Sequence, residues 1–421
     1  MNVHQIVRRL GWGVADQSVS SLSNVLVSLV CAHALGVHGF GAFSIAFVSY
    51  AVVLNASRGL STDPLVVRYS GCAQPIWRRA VASAAGTALL VGTVAGVLSI
   101  IAGILLPGHV GTAFLALGFG LPGLMVQDSW RFAFFAAGRG QGALILDLIW
   151  TVLAIAGLVA AVLTDHDGIA ACMLIFGGTA TIAAICGVFL TGVRPMIDQV
   201  PSWLREHRHL GSRYLVENLA VGLSRQLRIV AVGAAAGLAA AGSLRAAEIL
   251  MGPFLVVLMG IAQVAVPEAS QVLTSAPHRL FRFCLLLGGV QAAVAAAWGA
   301  LMLIILPLGV GQLLLDDVWH GAYPVVLPST VGVMLGCLSS GATSGVRALG
   351  AAPRSLFAQL TSSTLYVVGG GVGAFLGGAV GSAWGWAIGA GIGVVVWWIQ
   401  LHRAAAEHIP TPKSPRPLEV V

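Results

Sequence analysis

Charged residues are scarce in this sequence, and lysine occurs only once. Of the 421 residues 9% are charged and 57% are hydrophobic, and the mean hydropathy is +0.92. A water-soluble domain needs a much larger charged fraction at its surface, so this composition excludes one. Apolar stretches of about 20 residues recur along the chain, which is the length an α-helix needs to cross a bilayer core. We therefore predict an all-α, polytopic membrane protein.

Several chemical signals are also missing. The cysteines form no C-x-x-C pair, and their spacing suits neither a disulfide framework nor a metal site. They are Cys31, Cys72, Cys172, Cys186, Cys284 and Cys337. The histidines are scattered and no P-loop pattern occurs, so we expect no metal, no cofactor and no direct use of ATP. The predicted outer connections are too short to build a glycosyltransferase or polymerase site, so we expect no enzyme.

Hydropathy divides the chain into twelve predicted spans. They cover residues 13–35, 40–60, 82–107, 112–136, 141–164, 168–192, 211–237, 241–266, 280–306, 322–346, 353–376 and 378–402. The connection between the sixth and seventh spans is long and divides the chain near its midpoint. The predicted domains are an N-terminal six-helix lobe (1–192), a linker (193–210), a C-terminal six-helix lobe (211–402) and a tail (403–421).

The basic residues in the connections, or within the first few residues of a span, all fall on one side of this topology. They are Arg8, Arg9, Arg68, Arg78, Arg79, Arg139, Arg194, Arg205, Arg208, Arg213, Arg279, Arg282, Arg354, Arg403, Lys413 and Arg416. Basic residues concentrate on the cytoplasmic side of membrane proteins. We therefore expect a protein of the inner membrane with both termini and the linker in the cytoplasm. Its net charge of +7 would face anionic lipid headgroups rather than nucleic acid.

The two halves of the chain show a weak internal repeat. Without gaps, Leu22 pairs with Leu223 and Gly36 with Gly237, and a second match pairs Gly138 with Gly350. Because each half has an even number of spans, the halves should be parallel repeats about an axis along the membrane normal. The last span also carries a strip of glycines that predicts close helix packing. Its members are Gly381, Gly385, Gly389 and Gly393.

A layer of charged residues lies within the spans near their cytoplasmic ends. Its members are Asp16, Arg58, Asp128, Arg131, Asp147, Glu217 and Arg347. Asp128 and Arg131 are three residues apart on one helix face and could pair. A charge at the centre of a span costs roughly 2.5–3.5 kcal/mol, so Asp16 and Asp147 should face a polar interior. For Arg131 and Arg347 we favour side chains that reach out to the membrane interface or cap the ends of the helix bundle.

Three arginines lie deeper in the predicted membrane. Arg225 and Arg228 share a broad face of the seventh span with Glu217, and Arg245 precedes Glu248 by three residues on the eighth. A basic column facing lipid would be very costly, and guanidinium groups match phosphate oxygens. The pattern indicates a cavity between the halves for a phosphate-bearing anion, most clearly for Arg225 and Arg228. Internal neutralisation by the two glutamates is the alternative, and for Arg245 it is equally supported.

Three segments resemble polysaccharide-export flippases of the multidrug/oligosaccharidyl-lipid/polysaccharide (MOP) exporter superfamily. They are GWGVADQSVSSLSNVLVSLVCAHALG (11–36), GFGAFSIAFVSYAVVLNASRGLSTDPLVVRYS (39–70) and DSWRFAFFAAGRGQGALILDLIW (128–150). The likeness is clearest over the first 150 residues, and its motifs are more specific for the superfamily than for a substrate. It implies two six-helix lobes that form a MATE-like V around a central cavity and work by alternating access.

The resemblance also implies a function and roles for the charged residues. The substrate would be a polyprenyl-diphosphate-linked oligosaccharide, flipped to the outer leaflet for polysaccharide export. The candidate substrate contacts are Arg58, Arg225, Arg228 and Arg245. The candidates for gating or ion coupling are Asp16, Asp128, Asp147, Glu217 and Glu248. The expected partners are this lipid-linked substrate, membrane lipids, and glycan polymerase or glycosyltransferases, with no nucleic acid.

Three alternatives stay open. A multidrug antiporter of the same superfamily would need acidic groups for organic cations, which the arginines of the seventh span disfavour. A major-facilitator carrier shares the helix count, but the loop from Arg68 to Arg79 lacks its D-R-x-G-R-R-like run. A non-transporting scaffold that recruits glycan enzymes would not explain charges inside the membrane.

Overall fold

The described part of the protein is helical almost throughout, with no strand. A computed structural model describes residues 3–165, 168–315 and 319–408. The helices are α1 (Val3–Ser57), α2 (Asp63–Tyr69), α3 (Gln74–Leu105), α4 (Gly108–Ala136), α5 (Gly140–Leu163), α6 (Ile169–Thr191), α7 (Val200–Glu206), α8 (Arg208–Ser275), α9 (Leu280–Ile305), α10 (Val310–Leu315), α11 (Trp319–Ala348) and α12 (Ala352–His408). A π-helical turn, Arg58–Thr62, joins α1 to α2.

Helix α1 reverses direction within its length. Asp16 near its start pairs with Arg131, and Arg58 just after its end pairs with Asp128 one turn away on α4. In a straight helix, residues 16 and 58 would lie about 63 Å apart at 1.5 Å per residue. Because their side chains meet at one level of α4, α1 consists of two antiparallel spans. Residues 36–39, predicted as a loop between two spans, are helical and belong to α1.

Helices α8 and α12 also contain two spans each. In α8 the backbone leaves the helical region at Gly237 (φ 85°, ψ 171°), and Arg228 before this point pairs with Glu248 after it. In α12 the break lies at Gly377 and Gly378, and only Gly378 (φ 60°) requires the left-handed region. With α3, α4, α5, α6, α9 and α11 as single spans, the twelve predicted spans are all present. The predicted boundaries are wrong mainly at α1, which begins at residue 3, at α3, which begins at residue 74, and at α8, which ends at residue 275.

The glycine strip of the last span packs as the sequence predicts. A Cβ atom at Gly381 would collide with the carbonyl oxygen of Gly373, and one at Gly385 with that of Gly369. A Cβ at Gly389 would lie 2.8 Å from the oxygen of Leu365. The two spans of α12 therefore touch through their backbones along the strip.

Each half of the chain has its own buried apolar core. The N-terminal core joins α1 to α7 around Trp130, Phe176 and Leu121. Smaller clusters join α8 to α12 in the C-terminal half, including those around Trp397 and Phe254. We refer below to residues 3–206 and 208–408 as the N-half and the C-half. The domain boundaries given above stay predictions.

The paired glycines of the internal repeat occupy the same turn in both halves. Gly138 ends α4 with φ 66°, and Gly350 ends α11 with φ 67°. In each turn the next residue, Arg139 or Ala351, donates its amide to the carbonyl oxygen four residues before the glycine (2.8 and 3.2 Å). This is the Schellman arrangement, which needs a left-handed residue and therefore favours glycine. The match of Gly138 with Gly350 thus has a structural cause.

The halves touch on the side of the molecule that carries the arginine-rich loops, called here the arginine-rich side. A Cβ atom at Gly13 would collide with the backbone of Gly260, and one at Gly59 with that of Leu215. Arg9 of α1 donates to Glu268 of α8 at 2.9 Å. Among the described residues, the polar contacts between the halves all lie on this side.

Candidate functional site

A buried ionic cluster lies in the N-half. Arg131 of α4 contacts three carboxylates: Asp16 of α1 (2.5 Å), Asp147 of α5 (3.1 Å) and Asp128 one turn earlier on α4 (3.4 Å). Arg58 holds the other face of Asp128 with two hydrogen bonds of 2.7 and 2.9 Å. The structure therefore brings together five of the charged residues singled out in the sequence, with Arg131 at the centre.

The position of Arg131 corrects the sequence interpretation. Its side chain is 6% exposed and enclosed by carboxylates, so the expectation that it reaches the membrane interface is wrong. The predicted pairing of Asp128 with Arg131 is confirmed. Coulomb attraction in a low-dielectric interior favours this enclosed arrangement over an extended side chain. The sequence signal for the burial of Arg131 was Asp128, because an acid and an arginine three residues apart inside a span point to a buried ion pair.

The N-half cluster is not balanced in charge. It holds three carboxylates against two guanidinium groups. One oxygen of Asp16 and one of Asp147 are buried without a hydrogen-bond partner, although Gln127 donates to the other oxygen of Asp147 at 2.7 Å. A buried carboxylate without full compensation is costly. This is therefore a place where a proton or a small cation would be stabilised.

A second ionic cluster joins the two halves. Arg347 of α11 binds Glu217 of α8 and lies 3.8 Å from Asp63 of α2. Asn218 donates to Asp63 at 2.8 Å across the same boundary. Glu217 also accepts a 2.9 Å hydrogen bond from Ser355. Arg347 is thus held between carboxylates of both halves, and the expectation that it reaches the interface is wrong. Asp63 was missed in the sequence because it follows the predicted span.

Arg228 does not line an open cavity. Its side chain is 1% exposed and donates to Glu248 at 2.8 Å. The guanidinium lies 4.4 Å from the ring of Tyr366 and 4.8 Å from that of Trp386. The expected cavity position is therefore wrong for Arg228, since an acid on the antiparallel span and two aromatic faces neutralise and enclose it. Its Nε and Nη1 groups have no hydrogen-bond partner.

The other two deep arginines can be placed only by their backbone. Arg225 and Arg245 lie in helical parts of α8, before and after the break at Gly237. Their side chains lie outside the described residues. Glu248 is positioned on the same span as Arg245 and contacts Arg228, as the neutralising alternative proposes.

The C-half contains a cavity of about 480 Å³. It lies between α8, α11 and α12 and has polar and aromatic walls. The polar lining consists of Ser224, Ser339, Ser340, Thr343, Ser344, Gln359, Ser362, Ser363 and, at the arginine-rich end, Arg347. Tyr366 and Trp386 line it as well, so Arg228 lies behind its aromatic wall. The sequence signal was the run SSGATS at 339–344, in which four of six residues bear a hydroxyl.

The fold matches solved membrane transporters at low sequence identity. A MATE crystal structure in complex with MaL6 superposes with a TM-score of 0.81, at 13% identity over 96% of each chain. The chain has the MATE fold. An outward-facing multidrug resistance MATE family transporter of the MOP superfamily gives 0.77, at 14% identity over 97% of this chain and 96% of that chain.

A third MATE-fold neighbour differs in its pocket. It is a MOP superfamily transporter from Pyrococcus furiosus, described as having a binding pocket of reverse polarity that suggests a different function. Its TM-score is 0.74, at 14% identity over 97% of this chain and 96% of that chain. No family model matches the sequence. No curated protein matches it either. At these identities the likeness establishes the fold, a twelve-helix membrane bundle. The substrate has to be inferred from the residues of this chain.

Proposed function

We propose that this protein is a transporter that flips a polyprenyl-diphosphate-linked oligosaccharide across the membrane by alternating access. The MATE fold supports transport, because the neighbours that share it are transporters. The substrate is inferred from the charges of this chain. We further propose that the arginine-rich side is cytoplasmic and that the protein resides in the inner membrane, where glycan polymerase or glycosyltransferases would be its partners.

The observation that carries the proposal is an excess of positive charge within α8. Residues 218–259 contain Arg225, Arg228 and Arg245 but only one carboxylate, Glu248. Glu248 pairs with Arg228, so this stretch of α8 carries two more arginines than carboxylates. Charges in this environment are costly and mark substrate or ion paths. An anionic diphosphate would be attracted there, whereas an organic cation would be repelled.

Arginine has the chemistry that a diphosphate requires. Its guanidinium keeps its charge and offers paired donors that match phosphate oxygens. Arg225 and Arg245 are the proposed diphosphate contacts, whereas Arg228 is held by Glu248 and would bind phosphate only if that ion pair opens. Arg58 is a further candidate because its side chain is 27% exposed, the most open of the N-half cluster. The lipid tail would stay in the bilayer.

The N-half cluster would supply the coupling. Asp16, Asp128 and Asp147 share two arginines, and two of their oxygens are unpartnered. Uptake of a proton or cation by this cluster would remove its excess negative charge. Because Asp16 lies on α1 and Asp147 on α5, such binding would change the attraction between helices. Glu217 and Glu248 are proposed to act in gating through their ion pairs with Arg347 and Arg228.

A multidrug antiporter is the second candidate. The fold neighbours favour it, since one is described as a multidrug resistance transporter. The acid-rich N-half cluster could also attract a cation. Against it, each of these three carboxylates already contacts an arginine, which leaves less charge for an organic cation.

The test is a flipping assay in proteoliposomes with a fluorescent polyprenyl-diphosphate disaccharide, read by its accessibility to a membrane-impermeant quencher. We expect the wild-type protein to accelerate flipping and Arg225→Gln to slow it at least tenfold. Arg279→Gln is the matched control, because it removes the same charge from an exposed position on the arginine-rich side. Flipping that is absent in the wild type, or equal in both variants, would reject the proposal. Uptake of ethidium by the same liposomes would favour the antiporter.

A further inference from the structure

The hydroxyl-lined cavity of the C-half takes no part in the charge arguments above. We propose that this cavity binds the neutral, polyhydroxylated sugar part of the transported molecule while the arginines of α8 attract its phosphates. This inference rests on the proposed function and assigns a second, uncharged subsite to it. Four hydroxyl-bearing residues within positions 339–344 of α11 line the cavity.

The internal repeat gives the cavity a counterpart in the other half. The register that pairs Gly138 with Gly350 also pairs Asp128 with Ser340, Arg131 with Thr343 and Asp147 with Gln359. The first members form the N-half ionic cluster, and the second members all line the C-half cavity. The same place in the fold is therefore filled by ion pairs in one half and left open, with neutral polar groups, in the other.

The lining fits a neutral ligand. Its described members include no carboxylate, and Arg347 is held by Glu217 at the arginine-rich end. Hydroxyl and amide groups both donate and accept hydrogen bonds, as the hydroxyls of a sugar do.

The aromatic residues of the cavity add a surface on which a sugar ring can lie. Tyr366 and Trp386 form an edge-to-face pair with ring centroids 5.6 Å apart, and both line the cavity. Arg228 lies against both rings from behind and fixes their positions. Small-molecule sites combine apolar and aromatic walls with a few placed polar groups, in volumes of roughly 300–1,000 Å³. The C-half cavity, at about 480 Å³, has this composition and size.

The test uses neutral photoreactive sugars, so that it does not depend on diphosphate binding. The purified full-length protein is irradiated with benzyl-diazirine glycosides of cellobiose, chitobiose, lactose and maltose, and adducts are located by peptide mass spectrometry. We expect at least one glycoside to label the segments 339–344 or 359–366 saturably. Ser340→Leu, which fills the cavity, should abolish that labelling.

A matched pair of threonine substitutions distinguishes the loss of a cavity hydroxyl from a general effect on folding. Thr343→Val removes one cavity hydroxyl at nearly constant volume and should weaken labelling about three- to tenfold, the value of one hydrogen bond. Thr330→Val makes the same change on α11 outside the cavity, where the hydroxyl likewise donates to its own helix (2.8 Å, against 2.9 Å for Thr343), and should have no effect. Labelling spread evenly over the helices, labelling unchanged in Ser340→Leu and Thr343→Val, or no labelling by any of the four sugars would overturn the inference. Labelling of the cavity without flipping would instead reject the proposed function and leave the sugar site standing.

Discussion

Arg131 shows how a single residue can hold several helices together inside a membrane. Its guanidinium contacts carboxylates from α1, α4 and α5, and these helices pack around it in the N-half core. Removing one member of a buried ionic group leaves the others desolvated and unpaired, which typically costs about 3–5 kcal/mol. The desolvation free energy of the group is therefore offset by its ion pairs as long as all partners are present, and it destabilises the protein once one partner is removed.

We predict that Arg131→Met lowers stability by about 3–5 kcal/mol, measured by unfolding of the purified protein in detergent. Asp16 and Asp147 would then lose the arginine that contacts them, and only Asp128 would keep its contact with Arg58. Adding Asp147→Asn to this variant should recover part of the loss, because it removes one of the unpaired charges. Arg139→Met is the control, since Arg139 is exposed just beyond α4 and its loss should cost little. Equal unfolding of the two arginine variants would show that Arg131 is not a structural centre.

At the scale of helices, the glycines of α12 determine how closely two spans can approach. Gly381 and Gly385 are packed against backbone oxygens of the antiparallel span. Gly391 lies on the same span as these two glycines, but a Cβ atom there would have only the Leu335 side chain of α11 nearby, at 3.8 Å. Glycine thus serves packing at some positions of a helix and is merely tolerated at others. The regular spacing in the sequence distinguishes the two.

We predict opposite effects of the same substitution at two of these glycines. Gly385→Ala forces a methyl group into the carbonyl oxygen of Gly369 and should destabilise the protein by about 1–3 kcal/mol. Gly391→Ala has room and should be neutral or stabilising by up to about 1 kcal/mol, because alanine favours a helix more than glycine does. The prediction is tested by comparing the unfolding midpoints of the two purified variants in the same detergent. A smaller loss at 385 than at 391 would contradict the packing described here.

The elements differ in how much of them the sequence could predict. Hydropathy predicts the twelve spans, because each must be apolar over its own length, and Gly138 and Gly350 predict matching turns. It does not predict that Arg131 is enclosed, since its partners Asp16 and Asp147 lie on other helices. The burial of Arg228 depends in the same way on Tyr366 and Trp386, more than 130 residues along the chain. Local patterns predict elements, and contacts between distant residues determine the sites.

At the scale of the whole molecule, the two halves meet on the arginine-rich side. Tight backbone contacts at Gly13 and Gly59 bring the helices together, and Asp63 adds a polar link to Asn218 and Arg347 of the C-half. Alternating access requires such contacts to break and to form again elsewhere. If the protein works by alternating access, as proposed above, the free energy of these contacts sets the balance between its two states, and Asp63 is a point at which that balance can be shifted.

We predict that Asp63→Asn favours opening of the arginine-rich side. The change removes the charge that attracts Arg347 across the boundary but leaves Arg347 paired with Glu217 in its own half, so no buried arginine is stranded. A loss of about 1 kcal/mol, as for a partly exposed ion pair, corresponds to a roughly fivefold shift in the ratio of the two states. Spin labels at the exposed positions Gln74 and His278, on the background Cys72→Ser and Cys186→Ser, should report a larger population of long distances. Asp198→Asn removes the same charge from an exposed loop and should leave the distances unchanged. If both variants kept the wild-type distribution, the link at Asp63 would have no part in closing this side, which would then be held by the other contacts between the halves, such as the backbone packing at Gly13 and Gly59 and the Arg9–Glu268 pair.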